Sequence, residues 1–290
     1  WGGGDPAAPA DPSTPDTTAG SGAGSGAGAG APASRGASAE EATLADQPVL
    51  RAPDGSLEQS GLIWPAARFL SATTEVDAEA AQAMLPPNLT LAEPATATFF
   101  VAHYPMTNFG SVYNEAAVLI HIEHDGGEAV HCPWMVVDDD TALVYGREML
   151  GFPKKMGDIT LTEADDGSVL GVTERRGEEV LRIDSSDLTP EPGPVFGELS
   201  ILNAHGSMVG GMRIVEGLPM AETVHERSTG TATVTLGSTD RDPLGRLNPA
   251  PGASAVFAGL GFAGFSPAAI PIRDEVPFDW AYTNTIARAL

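Results

Sequence analysis

Residues 146–157 read "GREMLGFPKKMG" and carry the only two lysines of a 290-residue chain, Lys154 and Lys155. All thirteen remaining Lys+Arg positions are arginine. Two lysines placed at random over this length would be adjacent only about 2 times in 290. Arginine already supplies positive charge elsewhere, so this position needs a primary amine. An amine can lose a proton and attack a carbonyl, whereas a guanidinium stays charged. A free lysine titrates near ~10.4, leaving about one in a few thousand neutral at pH 7. Apolar burial and a neighbouring cation both lower that value. Leu150, Met149, Phe152 and Met156 offer apolar surroundings, and Lys155 offers the cation. These residues point to Lys154 as a nucleophile, activated by Lys155 or by apolar burial alone, two causes that the residues do not rank.

The elements around the pair can be read from pattern. "DDDTALVYGREML" predicts a helix, capped at its start by Asp138, Asp139 and Asp140 and ended by Gly151 and Pro153. "DAEAAQAMLPPNL" predicts a shorter helix, capped by Asp77 and stopped at Pro86 and Pro87. "ATATFFVAHY", "EAAVLIHIEH" and "EAVHCPWMVV" precede the lysines as strands. "DITLTEA", "SVLGVTE", "EEVLRID" and "TGTATVTL" follow them as further strands. This pattern predicts an α+β fold that is mainly antiparallel β, a barrel or sandwich with a few outer helices. Residues 1–45 are nearly all Gly, Ala, Ser, Pro and Thr and read as a disordered tail. Residues 46–290 read as a single domain.

Charge narrows the partners. The net charge is −24, with a pI near 4.3. Such a surface repels nucleic acid and anionic membrane, so neither is an expected partner. Cys132 is the sole cysteine, which removes any intrachain disulfide and fits a reducing, cytoplasmic location. No apolar run is long enough to cross a bilayer. His121 and His124 of "HIEH" would face opposite sides of a strand, and so would His131 and Cys132, so no metal site is expected. "GLGFAG" at 259–264 matches a dinucleotide fingerprint, yet the prolines of "FSPAAIP" bar the helix it needs. It reads as a turn or close packing. "NLT" at 88–90 is a glycosylation sequon without supporting context.

The lysine segment resembles the active-site segment of the acetoacetate decarboxylases, in which Gly-Arg-Glu leads through an aromatic-Pro pair into Lys-Lys. Gly146, Arg147, Glu148, Phe152 and Pro153 complete that match. The resemblance spans roughly residues 62–265. It implies that Lys154 forms a Schiff base, with Lys155 as the adjacent cation that activates it. "VYNEAAV" resembles the segment that supplies an active-site carboxylate, which maps to Glu115. Met135 falls at an apolar pocket position, and Arg68 of "AARFL" lies near an arginine that meets the substrate carboxylate. Where the family carries a second glutamate this chain has Phe100, with His103 and Tyr104 as the nearest polar groups. The resemblance implies a cone-like β-barrel, a homo-oligomer and no cofactor. The implied activity is decarboxylation of a β-keto acid through an iminium and enamine. Aldol or dehydration chemistry through the same iminium, and keto-acid binding without turnover, are the competing readings.

Overall fold

The central strands bury both of their faces, and this fact places everything else. The computed structural model describes residues 62–207, 210–217, 221–264 and 272–283. The expected tail at 1–45 lies outside the described residues. The first half of the domain contains β1 (Leu62–Glu75), helix α1 (Ala78–Met84), β2 (Thr90–Leu91), β3 (Thr96–Met106), β4 (Tyr113–His124) and β5 (Gly127–Val137). Helix α2 (Asp140–Leu150) and the short strand β6 (Lys154–Met156) come next. Then follow β7 (Asp158–Glu163), β8 (Val169–Arg175), β9 (Glu178–Pro190), β10 (Ser200–Ser207), β11 (Gly211–Gly217) and β12 (Ala221–Leu236). A single turn of 3-10 helix (Leu244–Leu247), β13 (Ala253–Gly264), β14 (Ile272–Val276) and α3 (Phe278–Ala281) complete the described elements.

Among the described residues the strands form one 14-stranded sheet. Its order is β14-β11-β10-β5-β4-β3-β1-β13-β12-β9-β8-β7, with β2 on β4 and β6 on β5. Pairing is antiparallel except for β5 with β10 and β5 with β6. The fold is therefore the expected one, mainly antiparallel with few helices. The sheet curls until β8 packs on β3: a methyl group added to Gly171 would lie 2.8 Å from the Val101 side chain. "GLGFAG" is not a turn but runs inside β13, where Gly261 packs against the Pro65 carbonyl.

Strand alternation divides the core in two. Leu70, Phe99, Val101, Val118, Ile120, Trp134 and Val136 face a large core shared with β7, β8 and β9. Their sequence neighbours Phe69, Phe100, Ala102, Ala117 and Met135 face the opposite way, into a second core that includes Leu150 and Phe152. Covered on both faces, these strands read as near-continuous apolar runs.

The helices end as their sequences dictate. Asp77 caps α1 by accepting from Ala80 N, and Asp139 caps α2 by accepting from Ala142 N. Of the three aspartates before α2, only Asp139 is its N-cap; Asp138 instead accepts from Asn114 at the edge of β4. Gly151 closes α2 in the left-handed region at φ 68°, a conformation that other residues adopt only with strain. Gly151 thereby turns the chain back so that β6 can lie beside β5. Among the described residues no helix is long and apolar enough to cross a membrane.

The large core contains one charged cluster. Asp242 is almost fully buried, bonded to Trp134 Nε1 at 2.8 Å and Lys155 Nζ at 2.9 Å, with Arg175 Nε at 3.4 Å. Burial alone would raise its carboxyl, but Lys155, the Trp134 hydrogen bond and Arg175 outweigh that and hold it below the usual range. Asp242→Asn is expected to cost about 3 kcal/mol of stability in urea unfolding at pH 7, because it strands buried cations. The depressed carboxyl contributes fully above its unfolded value of ~3.9 and loses that contribution as pH falls through the lower folded value. The gap between wild type and variant should therefore shrink below about pH 4; a gap independent of pH would refute this account.

Candidate active site

Lys154 and Lys155 are neighbours in sequence but not in space. β6 is a strand, so its successive side chains point to opposite faces. Lys154 pairs in register with Met135 and shares its face, in the second core. Lys155 pairs with Val136 and enters the large core, to bond Asp242. This corrects the expectation that Lys155 activates Lys154. The charge of Lys155 is spent on a carboxylate on the other side of the sheet, and the side chain has a structural partner there.

Lys154 instead meets Glu115. Its Nζ lies 2.6 Å from Glu115 Oε2, and both residues are buried. Tyr104 Oη donates to the other carboxylate oxygen at 3.4 Å. Tyr113 places its ring 5.3 Å beneath Nζ and accepts from Trp64 Nε1 at 2.9 Å. Burial first, and the Glu115 charge second, push both phenols well above their ordinary value, so they remain protonated donors. Tyr113 and Glu115 alternate on β4, and Tyr104 sits opposite Tyr113 on β3, so three adjacent positions converge without any loop.

The pair lines a cavity of about 250 Å³. Register sets out its walls. Lys154, Met135, Ala117, Phe100 and Ser71 form one transverse row across β6, β5, β4, β3 and β1. Phe69, Phe100, Phe196 and Phe262 make an aromatic belt, with centroids 5.0–5.2 Å apart along Phe100, Phe69, Phe196 and Phe262. Leu150 and Phe152 close the wall beside Lys154. A smaller recess of about 90 Å³, bordered by Arg147, Glu148 and His205, also touches Lys154. Beyond the belt lie Thr73, Thr98 and His121, all half-buried. His121 is lowered by burial against the opposing pull of Glu128, which keeps it neutral at pH 7.

The structure brings Lys154, Glu115, Met135, Phe152 and Phe100 together around this cavity. It does not bring Arg68 there. Phe69, Ser71 and Thr73 take the cavity side of β1, which turns Arg68 to the other face. Arg68 lies over the Phe257 ring, donates to Glu163 at 2.8 Å and pairs with Glu226. Met156, expected beside Lys154, is 43% exposed on the far end of β6. Sequence reasoning missed Trp64, Tyr113 and Ser71 as wall residues. The Tyr113-x-Glu115 spacing carried that signal for Tyr113, because residues two apart on a strand share a face. Among the described residues no group of three or more His, Cys, Asp or Glu side chains is placed to hold a metal. His131 donates Nδ1–H to the Leu202 carbonyl at 2.7 Å, and burial lowers it to about 4.

A primary amine held against a carboxylate in an aromatic cavity is the arrangement for covalent amine chemistry, and relatives bear on it. The family profile described as "Acetoacetate decarboxylase (ADC)" matches residues 46–259. The chain belongs to the acetoacetate decarboxylase family. Acetoacetate decarboxylase of Burkholderia vietnamiensis is 34% identical over 93 residues, covering 32% of this chain and 37% of the relative. That of Chromobacterium violaceum is 31% identical over 128 residues, covering 41% and 52%. The chain thus spans about half or less of the length of these curated relatives. Folds agree more widely. Acetoacetate decarboxylase from Legionella pneumophila superposes with a TM-score of 0.64 at 17% identity, over 83% of this chain and 98% of that one. The enduracididine biosynthesis enzyme MppR complexed with pyruvate gives 0.59 at 20% identity, over 76% and 94%. An acetoacetate decarboxylase-like enzyme from Sphingomonas wittichii gives 0.61 at 21%, over 78% and 98%.

The glycine that opens the family-like segment has a steric task. A methyl group on Gly146 would lie 2.3 Å from Lys154 Cε and 2.4 Å from Cδ, so the lysine crosses α2 only where no side chain stands. Gly146→Ala supplies a better helix former by about 1 kcal/mol. It should nonetheless slow borohydride trapping of a keto acid on Lys154 by about 10²-fold, because the amine must shift from its productive position. An unchanged trapping rate would refute the contact.

Proposed function

We propose that this protein is a Schiff-base lyase that decarboxylates a β-keto acid on Lys154. The 2.6 Å contact between Lys154 Nζ and Glu115 Oε2 inside an apolar cavity carries this reading. Glu115 takes a proton from the ammonium and frees the lone pair. The amine adds to the keto carbon, and the resulting carbinol oxygen leaves as water after accepting a proton from the carboxyl. The iminium then withdraws the electron pair of the bond to the carboxylate carbon. Carbon dioxide departs, and a neutral enamine remains. Protonation of its carbon and attack of water on the iminium release the ketone and restore the amine.

The walls favour this charge movement. The described residues around the cavity include no arginine, so Lys154 is the only cation there and becomes the iminium itself. A carboxylate held by a strong ion pair would gain more in the ground state than in the transition state. Here the carboxylate faces aromatic surface, and its negative charge is cancelled as carbon dioxide forms. Tyr104 donates to Glu115 and holds it in place for both proton transfers. Lys155 takes no part in these steps.

One observation favours a second reading: the cavity is large enough for a second carbonyl compound beside a small keto acid. An enamine formed there could attack an aldehyde instead of a proton, giving aldol chemistry from the same amine. Binding without turnover is less favoured, because holding an anion requires only arginine and no buried amine.

Borohydride reduction with acetoacetate, followed by peptide mapping, should place a single adduct on Lys154; an adduct that persists in Lys154→Arg, or an unmodified wild type, would sink the proposal. Lys154→Arg should abolish turnover while keeping the charge. Glu115→Gln should lower kcat by about 10²–10⁴-fold while adduct formation persists at raised pH, where the amine loses its proton to solvent. Carbon dioxide release separates decarboxylation from condensation.

A further inference from the structure

Inside the aromatic cavity, the hydroxyl of Ser71 stands out. Ser71 is 8% exposed and lines the cavity in the same row as Lys154, directly opposite Phe100. Among the described residues its hydroxyl has no hydrogen-bond partner. The residue is buried, but it lines the cavity wall, so a group bound in the cavity can hydrogen-bond to it. Two residues further along β1, on the same face, Thr73 begins a chain of hydrogen bonds. Thr73 Oγ1 lies 2.8 Å from Thr98 Oγ1, which lies 2.9 Å from His121 Nε2. Ser71, Thr73, Thr98 and His121 all border the same cavity as Lys154.

The cavity is too long for a four-carbon acid to explain these groups. Glu115 and His121 share a face of β4 six residues apart, which spans roughly 20 Å. A four-carbon keto acid covers only about 5 Å at ordinary bond lengths. With its carbonyl on Lys154 it cannot approach His121. The polar groups are also uncharged: the hydroxyls are neutral, and His121 is kept neutral by burial. They suit a hydrogen-bonding oxygen rather than a second carboxylate.

We infer that the natural substrate is a β-keto acid with an extended apolar tail bearing a hydroxyl or carbonyl oxygen, and that Ser71 with the Thr73–Thr98–His121 chain reads that oxygen. This rests on the Schiff-base reading of Lys154 and adds the substrate class. The tail passes the Phe69–Phe100–Phe196 belt, which removes its methylenes from water. The oxygen then completes the bond that Ser71 lacks. A plain alkyl tail would pass the belt equally well but leave Ser71 unsatisfied, which is how a polar site discriminates against an analogue lacking the polar group. Phe100 belongs to this device, because it supplies an apolar wall opposite the serine.

The test uses β-keto acids of about six to sixteen carbons, a range whose longest members span the roughly 20 Å to His121, each prepared with a methyl end and with a terminal hydroxyl. At the matching length the hydroxylated acid should exceed its plain partner in kcat/KM by about tenfold or more. In Ser71→Ala that ratio should collapse toward one, and Thr98→Val, which breaks the Thr73–Thr98–His121 chain, should reduce it as well. The ratio is taken within each variant, so partial loss of folded protein does not affect it. Borohydride trapping with the plain acids is run in parallel. Adducts on Lys154 with no preference for the hydroxylated acid at any length overturn this inference and leave the Schiff-base reading standing. No adduct with any acid overturns both.

Discussion

The site is organised around one buried ion pair, between Lys154 and Glu115, held 2.6 Å apart in an aromatic cavity. Two charges removed from water cost several kcal/mol each, and only tight geometry returns that energy. The surrounding elements supply the geometry. Glu115 stands on a strand buried on both faces, between β3 and β5, where the backbone cannot drift. Lys154 arrives from a strand of three residues, pinned to β5 and delivered by the left-handed turn at Gly151. Gly146 leaves the gap its methylenes occupy. A pair kept on such terms contributes reactivity more than stability, since an apolar substitute of similar volume would often be no less stable.

The doubled lysine takes its meaning from the same sheet. A strand sends adjacent side chains to opposite faces, and here both faces are cores. One amine therefore enters the cavity and the other enters the packed interior, where Asp242, Trp134 and Arg175 surround its partner carboxylate. The second lysine anchors β6 from behind, and the first points to the carbonyl it would attack. Adjacency along the chain thus sends the two amines to opposite faces of β6, and the carboxylate beside Lys155 is Asp242 rather than Glu115.

Much of the framework was legible from pattern. The Asp77 and Asp139 caps, the Gly151 stop and the strands around the lysines follow from local preferences that tertiary contacts reinforce. Glu115, Met135, Phe100 and Phe152 reach the cavity because strand and turn residues near a motif keep their relative faces. Arg68 was misplaced for the same reason in reverse. A register shift between Trp64 and Ala67 resets which residues of β1 face inward, and a bulge of this kind leaves no sure mark in the sequence. Ser71 went unnoticed because a serine among apolar residues has nothing unusual about it until its neighbours are known.

The sequence by itself determined the family and singled out the amine on which the proposed chemistry rests. Arginine fills every other Lys+Arg position of the chain, which marks the lysine pair after Phe152 and Pro153, and the family to which the chain belongs can be read from that segment. The tertiary structure alone decided which charge meets it. That choice depends on strand parity and on register between β4, β5 and β6, which are long-range quantities. A shift of one residue between β5 and β6 would exchange the faces of the two lysines, and the same shift between β4 and β5 would turn Glu115 away from Lys154.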